Sequence, residues 1–251
     1  LRAVRFAAKL GFSFHPSAGE PIPRLASLLE EVPPARLFDE FLKLFQYGFA
    51  TRSYEHLHRF GLLPYLLPDT AAYLAADEDG WSARLLEAAL ENTDRRFADD
   101  RPITPMFLFG VLLWPPVRAR AEALENDPGV GPGLALQEAV AEVAGDQQQR
   151  IALPKRFGLP MREMLLMQPR FEQRSGKRAL ALLEHRRFRA AYDLLVLRAQ
   201  VGDADPELAT YWTEVQEMSE ADRRRTVGGP RKRRRRGRRR SGKSDSTVPA
   251  S

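Results

Sequence analysis

The first side chains that could bind a ligand or take part in a reaction are two arginines near the start of the chain. Arg2 and Arg5 are three residues apart, a spacing that puts both on one face of a helix. Two guanidinium groups so placed can contact the phosphates of a nucleoside triphosphate or of an RNA backbone. Ion pairing inside a helical bundle would explain the same spacing equally well. The two arginines are therefore candidate nucleotide ligands, and the spacing alone leaves the choice open.

A longer basic segment lies between residues 150 and 198. Nine of its cations are candidate phosphate ligands: Lys155, Arg156, Arg170, Arg174, Lys177, Arg178, Arg186, Arg187 and Arg189. They alternate with four aromatic residues, Phe157, Phe171, Phe188 and Tyr192. We expect the cations to lie on helices and hold phosphates. We expect the aromatic rings to pack the helices together, because they fall at helical spacing and not on an open stacking platform.

The most conspicuous basic run is GPRKRRRRGRRR at residues 229–240. Each arginine can pair with a phosphate through two hydrogen bonds and displace counterions. We therefore predict polyanion binding by Arg231, Lys232, Arg233, Arg234, Arg235, Arg236, Arg238, Arg239 and Arg240. A solubility tail, a nuclear-import signal and a minor-groove hook are alternatives, and charge density does not separate RNA from DNA. Because apolar residues are scarce in residues 223–251, we expect this stretch to be disordered without a partner.

Charge is segregated along the chain, although the net charge is only +6. Residues 1–149 carry −7, residues 150–198 carry +8, residues 199–222 carry −7 and residues 223–251 carry +12. An acidic body, a basic segment, an acidic helix and a basic tail therefore follow one another. This order favours a polyanionic partner more strongly than an even distribution of charge would.

Residues that could catalyse a reaction or bind a metal are not arranged for either task. The run Asp77-Glu78-Asp79 resembles a metal-binding pair of aspartates, but its flanks predict helices, so a loop that caps the next helix is the favoured interpretation. His56 and His58 are two residues apart and point to different faces of a helix. The lack of cysteine excludes disulfides and thiolate metal sites. We predict no catalytic residue, no metal site and no cofactor bound by this chain alone.

Helical periodicity dominates the elements that must position these side chains. Phe38, Phe41, Leu42 and Phe45 recur at helical spacing and predict a core-facing stripe. Prolines and glycines separate further helices, which are predicted at residues 51–60, 82–93, 105–114, 134–144, 161–171, 177–184, 188–199 and 206–218. Since no segment alternates convincingly as a strand, the predicted fold class is all-α, a multi-helix bundle followed by a disordered arginine-rich tail.

Some features concern the setting of the chain. No apolar run reaches the roughly 18 residues that a membrane span needs, and no signal peptide is visible. The lack of cysteine fits a reducing, cytoplasmic location. Leu1 lies inside a predicted helix that Gly11 ends. We therefore expect the chain to be a fragment whose N-terminal part is missing.

Several segments also carry a family resemblance. The first, LRAVRFAAKLGF at residues 1–12, resembles the neck signature of class II nucleotidyltransferases, the superfamily of bacterial poly(A) polymerases and CCA-adding enzymes. The second, PPARLFDEFLKLF at residues 33–45, is similar to the element that braces the neck in that family. Four further segments resemble the poly(A) polymerase branch of that superfamily. The most specific is LLEHRRFRAAYDLLVLRA at residues 182–199, and the others are IPRLASLL at 22–29, LPKR at 153–156 and RSGKRA at 174–179.

The resemblance implies template-independent addition of AMP from ATP to RNA 3′ ends. In that family a head domain with metal-binding aspartates and a nucleotide-reading motif precedes the neck, so ATP and Mg²⁺ are implied only for a full-length enzyme. Arg2 and Arg5 would line the neck side of the nucleotide pocket. The basic segment and the tail would hold single-stranded RNA 3′ ends and contact RNA-decay proteins such as helicases. The chain by itself is expected to bind RNA without polymerising it.

This interpretation divides the chain into four parts: neck helices at 1–60, a helical body at 61–149, a basic helical RNA-binding region at 150–222 and the disordered tail at 223–251. Two alternatives remain open. A CCA-adding tRNA nucleotidyltransferase would share the neck, although residues 182–199 and the arginine run argue against it. A non-catalytic RNA-binding scaffold would never have had a catalytic head domain. The reading frame upstream of Leu1 would distinguish such a scaffold from the enzyme.

Overall fold

Helices form all the regular secondary structure that the computed structural model describes, which covers residues 1–228. The α-helices are α1 (Arg2–Leu10), α2 (Pro16–Gly19), α3 (Pro21–Arg24), α4 (Pro34–Phe45), α5 (Ala50–Arg59), α6 (Pro68–Ala76), α7 (Trp81–Ala98), α8 (Pro105–Glu125), α9 (Pro132–Arg150), α10 (Lys155–Leu166), α11 (Lys177–Leu183), α12 (Phe188–Gln200), α13 (Pro206–Glu217) and α14 (Glu220–Gly228). Short 3₁₀ turns lie at Ala26–Glu31, Leu63–Tyr65 and Gln168–Glu172. The predicted all-α fold class is confirmed.

The aromatic stripe of α4 lies in the core. Phe38, Phe41 and Phe45 are buried, and Leu42 packs against the core from a partly buried position. The ring of Phe41 stacks on Phe109 of α8, with the ring centroids 4.1 Å apart. Such aromatic pairs add to the stabilisation from burial alone. The predicted stripe is confirmed, and it joins the N-terminal helices to the rest of the bundle.

The start of α5 is fixed by a residue from another helix. Phe49, which precedes α5, supplies no capping side chain. Instead, the carboxylate of Asp94 on α7 accepts hydrogen bonds from the backbone amides of Ala50 at 2.6 Å and Thr51 at 3.0 Å. These amides have no partner within their own helix. Because α1 packs on both α4 and α5, α7 indirectly positions the helix that carries Arg2.

Helix α8 departs from the prediction at its proline pair. We predicted a helix at 105–114 that Pro115 and Pro116 would end, but α8 runs through both. Proline has no N–H to donate to the carbonyl four residues earlier, so Pro116 leaves the Leu112 carbonyl without its helical partner. The buried hydroxyl of Thr70 on α6 donates to that carbonyl at 2.8 Å. This tertiary hydrogen bond compensates for part of what the prolines remove.

The helix predicted at 161–171 is displaced along the chain. α10 begins six residues earlier and contains Pro160, while residues 168–172 form a 3₁₀ turn. The amide of Gly158 donates to the Pro154 carbonyl at 3.0 Å and closes the first turn of α10. Glycine and proline usually mark breaks between helices, and here they lie inside one. The displacement brings Lys155 and Arg156, the first candidate phosphate ligands, onto the start of α10.

The last described helix extends into the segment that we predicted to be disordered. Residues 223–228 complete α14, which packs against α11 and α13. Val227 is buried, and its carbonyl accepts a hydrogen bond from the Gly176 amide at 2.6 Å. Together with the hydrogen bond from Arg223 to the Gln216 carbonyl, these contacts hold residues whose composition suggested disorder. The remainder of the predicted tail, residues 229–251, lies outside the described residues.

The other predicted helices are present, and α7 and α9 are longer than predicted. The most extensive packing between two helices joins α8 to α9. Within residues 1–228, no helix combines the length and the apolar character that crossing a membrane would require. The division of the chain into neck, body, basic region and tail stays a prediction.

Candidate nucleic-acid interface

Helix α1 holds Arg2 and Arg5 three residues apart. Arg2 is exposed, whereas only 18% of the Arg5 side chain is exposed, and its Nε lies 3.4 Å from Oε2 of Glu40 on α4. Lys43 approaches the other oxygen of Glu40 at 3.1 Å. Arg5 therefore ties α1 to α4, while Arg2 presents its charge to solvent. The assignment of both residues to a nucleotide site stays a prediction.

The first candidate phosphate ligands of the basic segment lie in the first turn of α10. Lys155 and Arg156 are exposed. The guanidinium of Arg156 lies 4.8 Å from the centre of the Phe157 ring, within the range of a cation–π contact. Phe157 in turn packs near Phe38 of α4, with the ring centroids 6.2 Å apart. Packing against the core thus orients an exposed arginine.

A second group of cations surrounds the start of α11. Arg170, Lys177 and Arg178 are exposed, and Lys177 and Arg178 are the first two residues of the helix. Arg174 lies in the loop before the helix, and its Nη2 is 3.2 Å from Oδ2 of Asp205. This group therefore consists of three exposed cations and one arginine that is paired with a carboxylate.

The third group of cations lies in the loop between α11 and α12 and at the start of α12. Glu163 of α10 pairs with both Arg186 (2.6 Å) and Arg187 (3.4 Å). The hydrogen bond from Arg186 lowers the pKa of Glu163, although partial burial opposes this shift. Arg189 pairs with Asp193 one turn along α12, at 2.9 Å. Burial raises the pKa of Asp193 even though Arg189 opposes the shift. All three arginines are thus held by carboxylates.

The aromatic residues of the basic segment behave largely as predicted. Phe171, Phe188 and Tyr192 are buried, and Phe157 is partly buried. The ring of Phe171 meets Phe188 at 5.8 Å and Trp212 of α13 at 5.6 Å between centroids. The core interpretation of these rings is confirmed for the three buried residues. The surface of the segment therefore offers cations rather than stacking platforms.

The acidic loop before α7 is a helix cap, as predicted. Asp77 accepts hydrogen bonds from the amides of Ser82 at 2.8 Å and Gly80 at 3.2 Å, and also from the Ser82 hydroxyl. Desolvation would raise the pKa of Asp77, but the hydrogen bonds from Ser82 and Gly80 outweigh it and lower that pKa. The backbone turns at Gly80 with a φ of 65°, a conformation that suits glycine. The carboxylate of Asp77 is therefore occupied in holding the start of α7.

Three arginines that the sequence did not single out lie close to the third group. Arg95 and Arg96 at the end of α7, together with Arg101 in the following loop, line a groove whose other side is α12. The groove has a volume of about 500 Å³. These arginines belong to a segment of net negative charge, so averaging charge along the chain hid them. The helical contact between α7 and α12 brings them to the basic region.

The nine predicted tail cations at 231–240 lie outside the described residues. The cations of the folded region lie on α10, the 3₁₀ turn at 168–172, α11 and the start of α12, and in the loops before and after α11, so consecutive parts of the chain carry them. Their roles in RNA binding stay predictions.

Two family models match most of the chain. The model described as "Polymerase A arginine-rich C-terminus" matches residues 128–244. The model described as "Probable RNA and SrmB- binding site of polymerase A" matches residues 11–74. Both descriptions refer to polymerase A, so the two ends of the chain point to the same kind of protein.

Curated relatives agree with the family models. Poly(A) polymerase I of Escherichia coli is 40% identical over 257 residues, which is 99% of this chain and 55% of that protein. Poly(A) polymerase I of Salmonella typhi is 38% identical, again over 99% of this chain and 55% of the relative. The Haemophilus influenzae protein of that name is 39% identical over 86% of this chain and 48% of its own length. The chain spans about half the length of these relatives, and it belongs to the bacterial poly(A) polymerase family.

Proposed function

We propose that this chain is the RNA-binding part of a poly(A) polymerase that adds AMP from ATP to RNA 3′ ends. The observation that carries this proposal is the placement of the basic segment. Exposed cations occupy consecutive elements from α10 to α12, on a helical core that holds them in place. Contacts with phosphates are independent of base sequence. Such a surface suits an enzyme that must accept many different RNA ends.

The contacts of α1 distinguish the roles that we propose for Arg2 and Arg5 in nucleotide binding. Arg2 is exposed and suits a phosphate contact, whereas Arg5 already pairs with Glu40. We propose that Arg2 contacts the ATP phosphates and that Arg5 positions α1 beside them. In residues 1–228, no three His, Asp or Glu side chains converge as a metal-binding set, and we assign Mg²⁺ to none of them. We assign AMP transfer itself to parts of a longer enzyme.

The location and the protein partners follow from the same assignment. One matched family model describes residues 11–74 as a probable binding site for RNA and SrmB. We propose that RNA-decay proteins such as helicases contact that region, and that the protein works in the cytoplasm. The polyadenylated RNA would be a messenger or a decay intermediate with a free, single-stranded 3′ end.

RNA binding by the folded surface can be tested with charge reversal at α11. Lys177→Glu together with Arg178→Glu should weaken binding of a fluorescent single-stranded RNA about tenfold, because the variant can no longer make charge-assisted hydrogen bonds to phosphates there. The salt slope should fall by up to ~1.4, since each phosphate contact contributes ~0.7 for single strands. Acidic residues suit the first turn of a helix, so the variant should fold.

The matched control is Arg84→Glu with Arg120→Glu, which changes the net charge equally. Both of these arginines are exposed and lie outside the two regions that the family models match. Anisotropy titrations at several salt concentrations give both quantities. Equal weakening in the two double variants would exclude a specific role for the α11 surface.

The catalytic part of the proposal has a separate test. The 251-residue chain, incubated with labelled ATP, Mg²⁺ and an RNA oligonucleotide, should leave that RNA unextended. Extension of the RNA on a denaturing gel would show that the chain contains its own catalytic site and would refute our assignment of AMP transfer to other parts.

A further inference from the structure

A groove separates helix α12 from the end of α7 and the loop that leads into α8. Its volume is about 500 Å³, which lies within the ~300–1,000 Å³ typical of ligand sites. Six arginines line it: Arg95, Arg96, Arg101, Arg186, Arg187 and Arg189. Among the described residues, only two carboxylates share the lining, those of Asp99 and Asp193. The groove is therefore strongly cationic, although one of its sides belongs to the acidic part of the chain.

The arginines on the α7 side are held in place by hydrogen bonds or an ion pair and still have unused N–H donors. Arg96 donates from Nε and Nη2 to the Pro102 carbonyl at 3.1 and 3.0 Å. Arg95 donates to Asn92 at 3.1 Å, and Arg101 lies 3.8 Å from Asp99. Each guanidinium carries five N–H donors, so these contacts leave donors for a ligand. A guanidinium whose position is already fixed loses less entropy when it binds.

Two of the three arginines on the opposite side, Arg186 and Arg189, remain accessible as well. The side chains of Arg186 and Arg189 are 68% and 73% exposed despite their ion pairs, and that of Arg101 across the groove is 65% exposed. Exposed ion pairs of this kind contribute little to stability. Exchanging a carboxylate for a phosphate therefore sacrifices little of the free energy of folding.

Part of the groove's wall is apolar. Ile103, Phe107 and Val196 line the groove and pack against the core from partly buried positions. A site that combines cations with apolar surface matches the two parts of a nucleotide unit, which has charged phosphates and a flat, largely apolar base. An acidic peptide would match the cations but would leave this wall exposed to water.

We propose that this groove binds a segment of single-stranded RNA, with the arginines on successive phosphates and the apolar wall against the bases. This inference rests on the proposed RNA-binding function and adds a second side to the path of the strand. Arg186, Arg187 and Arg189 belong to the basic segment, but Arg95, Arg96 and Arg101 lie between the two regions that the family models match. The RNA would therefore pass between α7 and α12 rather than across the basic segment alone.

Charge reversal on the α7 side tests the groove without altering the basic segment. Arg95→Glu with Arg101→Glu, in the full 251-residue chain, should weaken binding of single-stranded RNA about tenfold and lower the salt slope by up to ~1.4. Arg84→Glu with Arg120→Glu is again the control of equal charge. A second variant, Arg95→Gln with Arg101→Gln, removes the cations without adding acids and should show about half of the change in log Kd.

The outcomes separate this inference from the function on which it rests. If the unaltered chain does not bind RNA, the proposed function fails. If the unaltered chain binds RNA but the groove and control variants weaken binding equally, only the groove assignment fails. Polyglutamate is the probe for an acidic protein partner. If it binds the unaltered chain and loses affinity in the groove variants while RNA affinity stays constant, the groove binds an acidic protein and not RNA. Circular dichroism and thermal melting confirm that each variant is folded.

Discussion

Single carboxylates hold four arginines of the basic region, Arg174, Arg186, Arg187 and Arg189. Glu163, Asp193 and Asp205 each pair with at least one of them. The lowered pKa of Glu163 means that its ion pairs persist at neutral pH and disappear only as pH falls through that lowered value. The pKa of Asp193 is raised by burial, so Asp193 is the first of the two to be neutralised on acidification. These four arginines therefore have carboxylate partners before any RNA binds.

Asp94 offers a clear stability prediction for one residue. Asp94→Ala should lower the free energy of unfolding by about 1 kcal/mol, because the amides of Ala50 and Thr51 lose their capping oxygens. Asp94→Asn should keep part of that energy, since one acceptor remains. Urea unfolding followed by circular dichroism measures the difference. Glu91→Ala, which removes an exposed carboxylate from the same helix, should change stability little, and an equal destabilisation there would contradict the capping role.

Among whole elements, α8 and α12 are joined by a buried ion-pair network. The Asp203 side chain is fully buried, and it pairs with Arg198 of α12 at 2.6 Å and with Arg118 of α8. The indole Nε1 of Trp114 donates to the same carboxylate at 2.7 Å. Burial lowers the pKa of Arg198, although Asp203 opposes that shift. The guanidinium of Arg198 also lies 4.2 Å from the Trp114 ring, so one short loop fastens two long helices.

Removal of one partner from such a network leaves a buried charge without compensation. Asp203→Ala should therefore lower the free energy of unfolding by about 3–5 kcal/mol. Asp205→Ala, two residues along the same loop, removes an exposed helix cap and should lower it by only about 1 kcal/mol. Thermal and urea unfolding of both variants give the comparison. Similar destabilisation in the two would mean that the Asp203 network contributes no more than an ordinary cap.

Elements with strong periodicity could be predicted, and those that depend on distant partners could not. The stripe of α4 and the buried rings of Phe171 and Phe188 follow directly from their spacing. The passage of α8 through its prolines depends on the Thr70 hydroxyl, which lies 42 residues from Leu112 in the sequence. No local pattern contains that contact. The same limit applies to α14, which Val227 holds against α11.

For the molecule as a whole, charge along the sequence predicted the basic region but not its full extent. The resemblance indicated the poly(A) polymerase family, which the comparisons confirm. The arginines of α7 were missed because the acidic residues around them cancel their charge when the segment is averaged. The packing of α7 on α12 brings these arginines next to those of the basic segment. A charge pattern in sequence thus underestimates a surface that distant segments build together.

The segment whose deletion tests RNA binding by the tail starts at residue 229, after the end of α14. Deletion of residues 229–251 leaves α14 and Val227 in place, whereas deletion from residue 223 would also remove that helix packing. The shorter deletion should weaken RNA binding and reduce the salt slope by ~0.7 for each phosphate that the tail would otherwise neutralise, with no change in thermal stability. Replacing the tail cations at 231–240 with glutamine in the full-length chain controls for tail length and should give the same reduction. An unchanged salt slope in both variants would exclude the tail from the RNA path and leave the folded basic surface as the binding site.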